Sequence, residues 1–311
     1  MKLRSGAQVA HGADRRIAQN PKTFQTIAKH NALSPLLMLP QEIKNRIYYF
    51  VCGGQMVHIF QNDVQHNHVH GDNTVKLSHA TCVEPTTEEQ IQREFDSAEP
   101  DVRNVWNVPA AEGRHYDCHE PPPKQKRGCP KPNQLSLTLL RSCRQIYLEA
   151  NTVPYSHNTF AINCNDILER FARNRCQNKQ NLAIRSLYLN ISVSHGSSVN
   201  AWSDSINKAV LKRLNNVQRL NLTLGQLYCM CSVELCGYEG SEMTERQAKM
   251  FKNFSKLPLK KATLLIDDGM FLIHLDHHHS LDHHEMEQKY RWTMKQKQEF
   301  SKDVRDVMLR R

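Results

Sequence analysis

The chain contains no apolar run approaching the roughly 18 residues that a membrane-spanning helix requires. Its first twenty residues have no apolar core of the kind a secretory signal carries. Also missing are a Gly-x-Ser-x-Gly elbow, a phosphate-binding glycine loop, a His-Glu-x-x-His pair and the paired Cys-x-x-Cys spacing of a zinc ribbon. These absences lead us to expect an intracellular protein of the cytosol or nucleus that is not an enzyme. No residue is assigned a catalytic, cofactor-binding or metal-binding role.

Composition sets the remaining bounds. With 311 residues, 39% hydrophobic and 23% charged, the chain can build one large core or two small ones. Ten cysteines in a chain without a signal segment read as free thiols rather than as a disulfide framework. The net charge of +10 is unevenly placed. Residues 1–41, 124–131 and 287–311 carry net charges of +5, +4 and +4, so the rest of the chain is slightly acidic. This distribution argues against a basic groove in the folded core. It leaves an alternative in which basic flanks contact nucleic acid. The Lys124–Lys131 loop has no interleaved aromatics, so base stacking is not indicated, and a solvated linker is the simpler reading.

Three regions follow along the sequence. Residues 1–34 form a basic arm expected to be disordered. Residues 35–270 form the core, interrupted at 61–134 by a Pro-, His- and acid-rich insertion with little periodicity beyond a short helix near Glu88–Phe95. Residues 271–311 hold a His-rich loop and a basic amphipathic helix that carries Trp292, Phe300, Val304, Val307 and Met308. That helix either packs on the core or serves a partner or membrane surface.

Within the core, Pro40 and Glu42 suit a first helical turn, and Ile43, Ile47 and Phe50 recur at helical spacing until Gly53-Gly54. A second helix is expected from Leu139, Leu140, Cys143, Ile146, Tyr147 and Ala150, with Cys143 on its apolar face. Three similar strands then appear at 184–191, 217–224 and 259–266, with helical stretches between them. Strand–helix alternation implies parallel strands joined by right-handed crossovers. The fold class is therefore α/β or α+β, with a small mixed sheet.

Two segments carry a family resemblance. The segment 39–48 (Leu-Pro-Gln-Glu-Ile-Lys-Asn-Arg-Ile-Tyr) resembles the opening helix of F-box-like domains of filamentous fungi. The segments 139–150 (Leu-Leu-Arg-Ser-Cys-Arg-Gln-Ile-Tyr-Leu-Glu-Ala) and 155–160 (Tyr-Ser-His-Asn-Thr-Phe) resemble companion motifs of a large ascomycete family with a domain of unknown function. The resemblance implies a protein-interaction scaffold. In it, Leu39, Pro40, Ile43 and Ile47 dock a Skp-type adaptor of a cullin–RING ubiquitin ligase, and the downstream region recruits an unknown protein substrate. A full F-box continues through three helices, whereas here Gly53-Gly54, a strand and the insertion follow the first. Ile43 and Ile47 have a simpler role open to them, packing against the helix at 139–150.

Histidine and cysteine supply the remaining candidates. His66, His68 and His70 alternate, and His277, His278, His279, His283 and His284 cluster with Asp276, Asp282 and Glu285. Cys229, Cys231 and Cys236 lie close together, and Cys118 and Cys129 flank the basic loop. Metal binding through these loops is a further alternative, weighed against solvated loops and ordinary thiols. Asp267-Asp268 ends the third strand, where acids more often form a turn or cap than a site.

Overall fold

The computed structural model describes residues 33–62, 76–99, 135–175, 182–192, 196–225, 245–267 and 293–310, with single positions at 25, 26, 29, 31, 115, 118 and 180. The elements run α1 (Pro35–Met38), α2 (Gln41–Cys52), β1 (Met56–Asn62), β2 (Lys76–Thr81), α3 (Glu88–Ser97), α4 (Arg144–Ala150) and α5 (Val153–Ser156). They continue through β3 (Thr159–Ile162), α6 (Asn165–Arg170), β4 (Ser186–Ser192), α7 (Gly196–Ser205), α8 (Lys208–Arg213), β5 (Arg219–Gly225), α9 (Glu245–Phe254), β6 (Lys261–Asp267) and α10 (Met294–Leu309). The chain divides into two compact units, one of residues 1–51 and 137–151, the other of residues 52–136 and 152–311.

The smaller unit contains α1, most of α2 and α4. The expected continuous helix at 139–150 is broken. A single 3-10 turn at Leu139–Arg141 is followed by Cys143 in an extended conformation, which caps α4. The Cys143 sulfur accepts from the Ile146 N–H at 3.5 Å, so Cys143 is a half-buried cap and not a residue on an apolar helical face.

The larger unit is built on a six-stranded mixed sheet in the order β2-β1-β3-β4-β5-β6. The β1–β2 pair is antiparallel and every other pair is parallel. The strand repeat read from the sequence becomes β4, β5 and β6, in register. Val57, Phe160, Leu187, Leu220 and Ala262 form one row across five strands, and Ile59, Ile162, Leu189, Leu222 and Leu264 form the next. These rows belong to one apolar face and to the main hydrophobic core. Strand β2, inside the segment read as an insertion, was not foreseen in the sequence, whereas the short helix there is α3.

Residues on the opposite face look solvent-facing by alternation, yet Tyr188, Asn221, Thr223 and Thr263 are buried. Their polar atoms pair across strands. The Tyr188 and Thr223 hydroxyls lie 2.9 Å apart, the Thr159 and Ser186 hydroxyls 2.8 Å apart, and the Thr263 hydroxyl donates to Asn221 Oδ1 at 3.0 Å. A largely parallel sheet covered on both faces must satisfy such groups internally.

Strand β6 is an edge, and helices close it. The Leu264 N–H donates to the Gln92 side chain of α3 at 2.6 Å, and the Ser301 hydroxyl of α10 donates to the Leu264 carbonyl. A capping box at Thr293 and Gln296 starts α10, and its Met294, Val304 and Met308 are buried in the core. Arg305 adds a bidentate pair to Asp96 of α3, with both nitrogens 3.0 Å from the carboxylate. The amphipathic C-terminal helix is thus a packed element of this unit.

At the other end of the core, a buried asparagine fixes where β1 and β3 begin. Asn158 donates to the carbonyls of Cys52 (2.8 Å) and Pro154 (2.9 Å) and accepts from the Gln55 N–H (2.8 Å). The turn it holds runs through Gly54, whose φ of 72° lies in the left-handed region that glycine occupies without penalty. Gly54 N–H donates to the His157 carbonyl and Thr159 N–H to the Gln55 carbonyl, both at 2.9 Å. Replacing Asn158 by Ala strands a buried donor and two carbonyls and should cost roughly 2–4 kcal/mol in denaturant unfolding. A loss below about 1 kcal/mol would show that the turn holds without it.

Candidate functional site

Helix α2 is oriented by a polar network, not by its aliphatic residues. Lys44 and Tyr48, one turn apart, are buried and converge on Glu149 of α4. The Lys44 ammonium lies 3.0 Å from Glu149 Oε2, the Tyr48 hydroxyl donates to the same oxygen at 2.8 Å, and the Gln145 amide donates to Oε1 at 2.9 Å. Burial alone would raise the Glu149 pKa. The hydrogen bonds from Gln145, Lys44 and Tyr48 and the lysine charge outweigh it and hold the carboxyl below its usual range. Burial, reinforced by the Glu149 carboxylate, pushes the Tyr48 phenol well above its usual range and keeps it a donor.

This arrangement turns the aliphatic stripe of α2 outward. Ile43 is 41% exposed and Phe50 78% exposed, Leu39 and Pro40 are exposed, and Ile47 is half-buried. Of the two residues expected either to dock an adaptor or to pack against the 139–150 helix, Ile43 is the more exposed and Ile47 the more buried. Of the buried positions of α2, Lys44 and Tyr48 are the ones whose polar ends reach Glu149. Met38 and Leu148 of the same unit are also exposed, at 68% and 64%.

A second constellation lies in the sheet unit, where the fold gathers two imidazoles and two thiols. His58 of β1 faces the polar side of the sheet, in a row with Ala161 of β3 and Tyr188 of β4. Ala161 leaves space between the two larger rings. His115 lies beside both, its ring 5.0 Å from that of His58 and 4.9 Å edge-on to Tyr188. Cys82 directly follows β2, its N–H donating to the Met56 carbonyl at 2.8 Å. Cys118 stands one turn after His115 and donates its N–H to the His115 carbonyl at 3.1 Å. The donor atoms of His58, Cys82, His115 and Cys118 all lie within 4.8 Å of one another.

His115 is held at both ring nitrogens. Its Nε2 lies 3.0 Å from the carboxylate of buried Glu88, at the start of α3, and its Nδ1 lies 3.2 Å from Cys82 Sγ. A carboxylate accepts from Nε2, and in a neutral imidazole that leaves the Nδ1 lone pair facing the thiols. Cys82 Sγ is 3.8 Å from Cys118 Sγ, and both are free thiols. Burial pushes the Cys82 thiol up to about 12, so without a cation it is neutral. His115 has a φ of 64°, left-handed for a residue that carries a Cβ.

Of these four residues, the sequence reading offered only Cys118 as a ligand. The available signal was the His115-x-x-Cys118 spacing. The other two donors come singly from the β1–β2 hairpin and become neighbours only once the sheet has formed. The histidines at 66–70 and 277–284, the cysteines at 129, 229, 231 and 236, Asp268, the basic loop at 124–131 and the arm at 1–24 lie outside the described residues. Asp267 ends β6. Of the basic C-terminal residues, Lys297 is buried and Arg305 pairs with Asp96. Among the described residues, no helix is long and apolar enough to cross a membrane.

The Glu149 network generates a pH dependence with a defined sign. The folded pKa is depressed, so the stabilisation is complete above the ordinary carboxylate range and is lost as pH falls through the folded value. Denaturant unfolding followed from about pH 7 to about pH 3 should show a Glu149→Gln chain that is less stable at neutral pH and has a flatter acid limb than the parent. Parallel acid limbs would show that Glu149 is not a contributor.

No curated protein and no solved structure gives a significant match to the chain. One family pattern, described as Domain of unknown function (DUF7730), matches residues 29–228. That span takes in α1 to β5, including the α2 stripe, the Asn158 turn and all four residues of the His/Cys cluster. By this match over more than half its length, the chain belongs to the DUF7730 family.

Proposed function

We propose that the chain is a non-enzymatic protein-interaction module, in which α2 presents an F-box-like docking stripe to a Skp-type adaptor and the rest of the chain recruits a protein substrate. The observation that carries this reading is the orientation of α2. Lys44, Tyr48 and Cys52 are its buried positions, while Ile43 and Phe50 on the helix and Leu39 and Pro40 just ahead of it are exposed. Exposed apolar residues on a helix and the turn that leads into it are a form in which a helical partner surface is recognised. Leu39, Pro40 and Ile43 are three of the four positions the fungal F-box-like resemblance assigns to the adaptor; the fourth, Ile47, is half-buried. Adaptor and ligase act in the cytosol or nucleus, which is where this reading places the protein.

Ile43→Asp puts a charge in the centre of the stripe at a position that is 41% exposed. The variant should still unfold in one cooperative transition, with a loss of stability of about 1–2 kcal/mol. Capture of purified Skp-type adaptor by the full chain should fall at least tenfold. Unchanged capture, or no capture by the parent chain, would sink the docking reading. Unfolding of Ile43→Asp would return the stripe to a structural role.

A further inference from the structure

Neither the hydrophobic core nor the docking stripe uses His58, Cys82, His115 and Cys118. We infer that these four side chains form a structural zinc site. It would fasten the segment bearing His115 and Cys118 to the β1–β2 end of the sheet.

The donor set is the first support. Two thiolates and two imidazoles are the ligands that tetrahedral structural zinc takes, and they suit neither magnesium nor calcium, which prefer oxygen. The spacing is the second. Zinc with bonds of ~2.3 Å to sulfur and ~2.0 Å to nitrogen sets its ligands about 3.8 Å apart for a sulfur pair and about 3.5 Å for sulfur and nitrogen. Cys82 Sγ and Cys118 Sγ are 3.8 Å apart, and Cys82 Sγ and His115 Nδ1 are 3.2 Å apart. All four donor atoms fall within 4.8 Å, a span that small side-chain shifts close around one ion.

The surroundings of His115 are the third support. A zinc-bound imidazole commonly donates its other nitrogen to a carboxylate, which fixes the tautomer and aims the lone pair at the metal. Glu88 holds Nε2 of His115 in that way while Nδ1 faces the thiols. The left-handed backbone of His115 is a conformation that a residue with a Cβ keeps only where its surroundings over-determine it. Two other roles fit less well. A disulfide requires sulfurs about 2.05 Å apart and gives the imidazoles nothing to do. A catalytic zinc keeps one coordination position for water or substrate, whereas here four protein donors are at hand to complete the shell, with both histidines buried.

The site is independent of adaptor docking. It lies in the sheet unit, and its test does not involve the stripe. The untagged full chain, purified without chelator, should carry one zinc per chain by elemental analysis, with the same mass increment in native mass spectrometry. Cobalt substituted for zinc should give the intense visible bands of a tetrahedral site and a thiolate charge-transfer band. Chelation should lower the melting temperature by roughly 10 °C, and added zinc alone should restore it. Cys118→Ser and His115→Ala should abolish stoichiometric binding, whereas Cys143→Ser and Cys164→Ser should keep it. Glu88→Gln should retain four-coordinate cobalt spectra with a 10- to 100-fold weaker affinity.

A folded parent chain that holds no zinc and gives no tetrahedral cobalt spectrum would overturn the proposal. So would zinc retained in a folded Cys82→Ser, Cys118→Ser double variant, which would assign the metal to the other histidine-rich segments. An iron–sulfur absorption spectrum would also overturn it. The parent-chain measurements stand even if a ligand variant fails to fold.

Discussion

The sheet depends on two strands starting at the same level, and Asn158 is the group that sets them there. A parallel pair receives no help from a tight hairpin, so its register must come from elsewhere. Here one buried amide bonds to the backbone on both sides. It reaches Cys52 and Gln55 ahead of β1, and Pro154 just ahead of β3. Once β1 and β3 are aligned, β4, β5 and β6 add in register and the two apolar rows follow. The same alignment places His58 opposite Ala161 and next to Tyr188, which forms the floor of the His/Cys cluster. A single hydrogen-bonded side chain thus positions both the core and the candidate metal site.

The strands that can be read from the sequence are those whose buried face is purely aliphatic. Leu187, Leu189 and Ile191, with Leu220, Leu222 and Leu224, alternate cleanly and appear as β4 and β5. The alternation misleads on the opposite face. There Tyr188, Asn221, Thr223 and Thr263 are polar in sequence, yet they are buried in cross-strand pairs. Strand β2 is hidden because Lys-Leu-Ser-His-Ala-Thr has no aliphatic stripe and exists by pairing with β1. The 139–150 helix was misjudged because its apolar spacing continues across Cys143, whose side chain caps the next turn instead of continuing the helix.

Helix α2 shows why spacing alone does not decide which face is inside. Ile43, Ile47 and Phe50 form the obvious apolar stripe, and ordinary amphipathicity would bury it. Glu149 overrides that preference, because a lysine and a tyrosine one turn apart can both reach it and share its two oxygens with Gln145. The metal-type cluster is obscured for another reason. Its four donors come from three separate places along the chain, and folding rather than local spacing makes them neighbours. The runs of histidine that catch the eye in the sequence contribute none of them.

The closure of β6 limits how this protein can meet others. An exposed sheet edge is a template onto which a partner can lay an extended strand and gain backbone hydrogen bonds. At β6 the Leu264 N–H and carbonyl are already taken by Gln92 and Ser301. An incoming peptide would meet both helices at Leu264, in the middle of the strand. Recognition on that side therefore falls to side chains on helical surfaces, which favours a folded partner of matching shape over an unstructured tail. The same closure keeps the β6 edge from pairing with β6 of another copy.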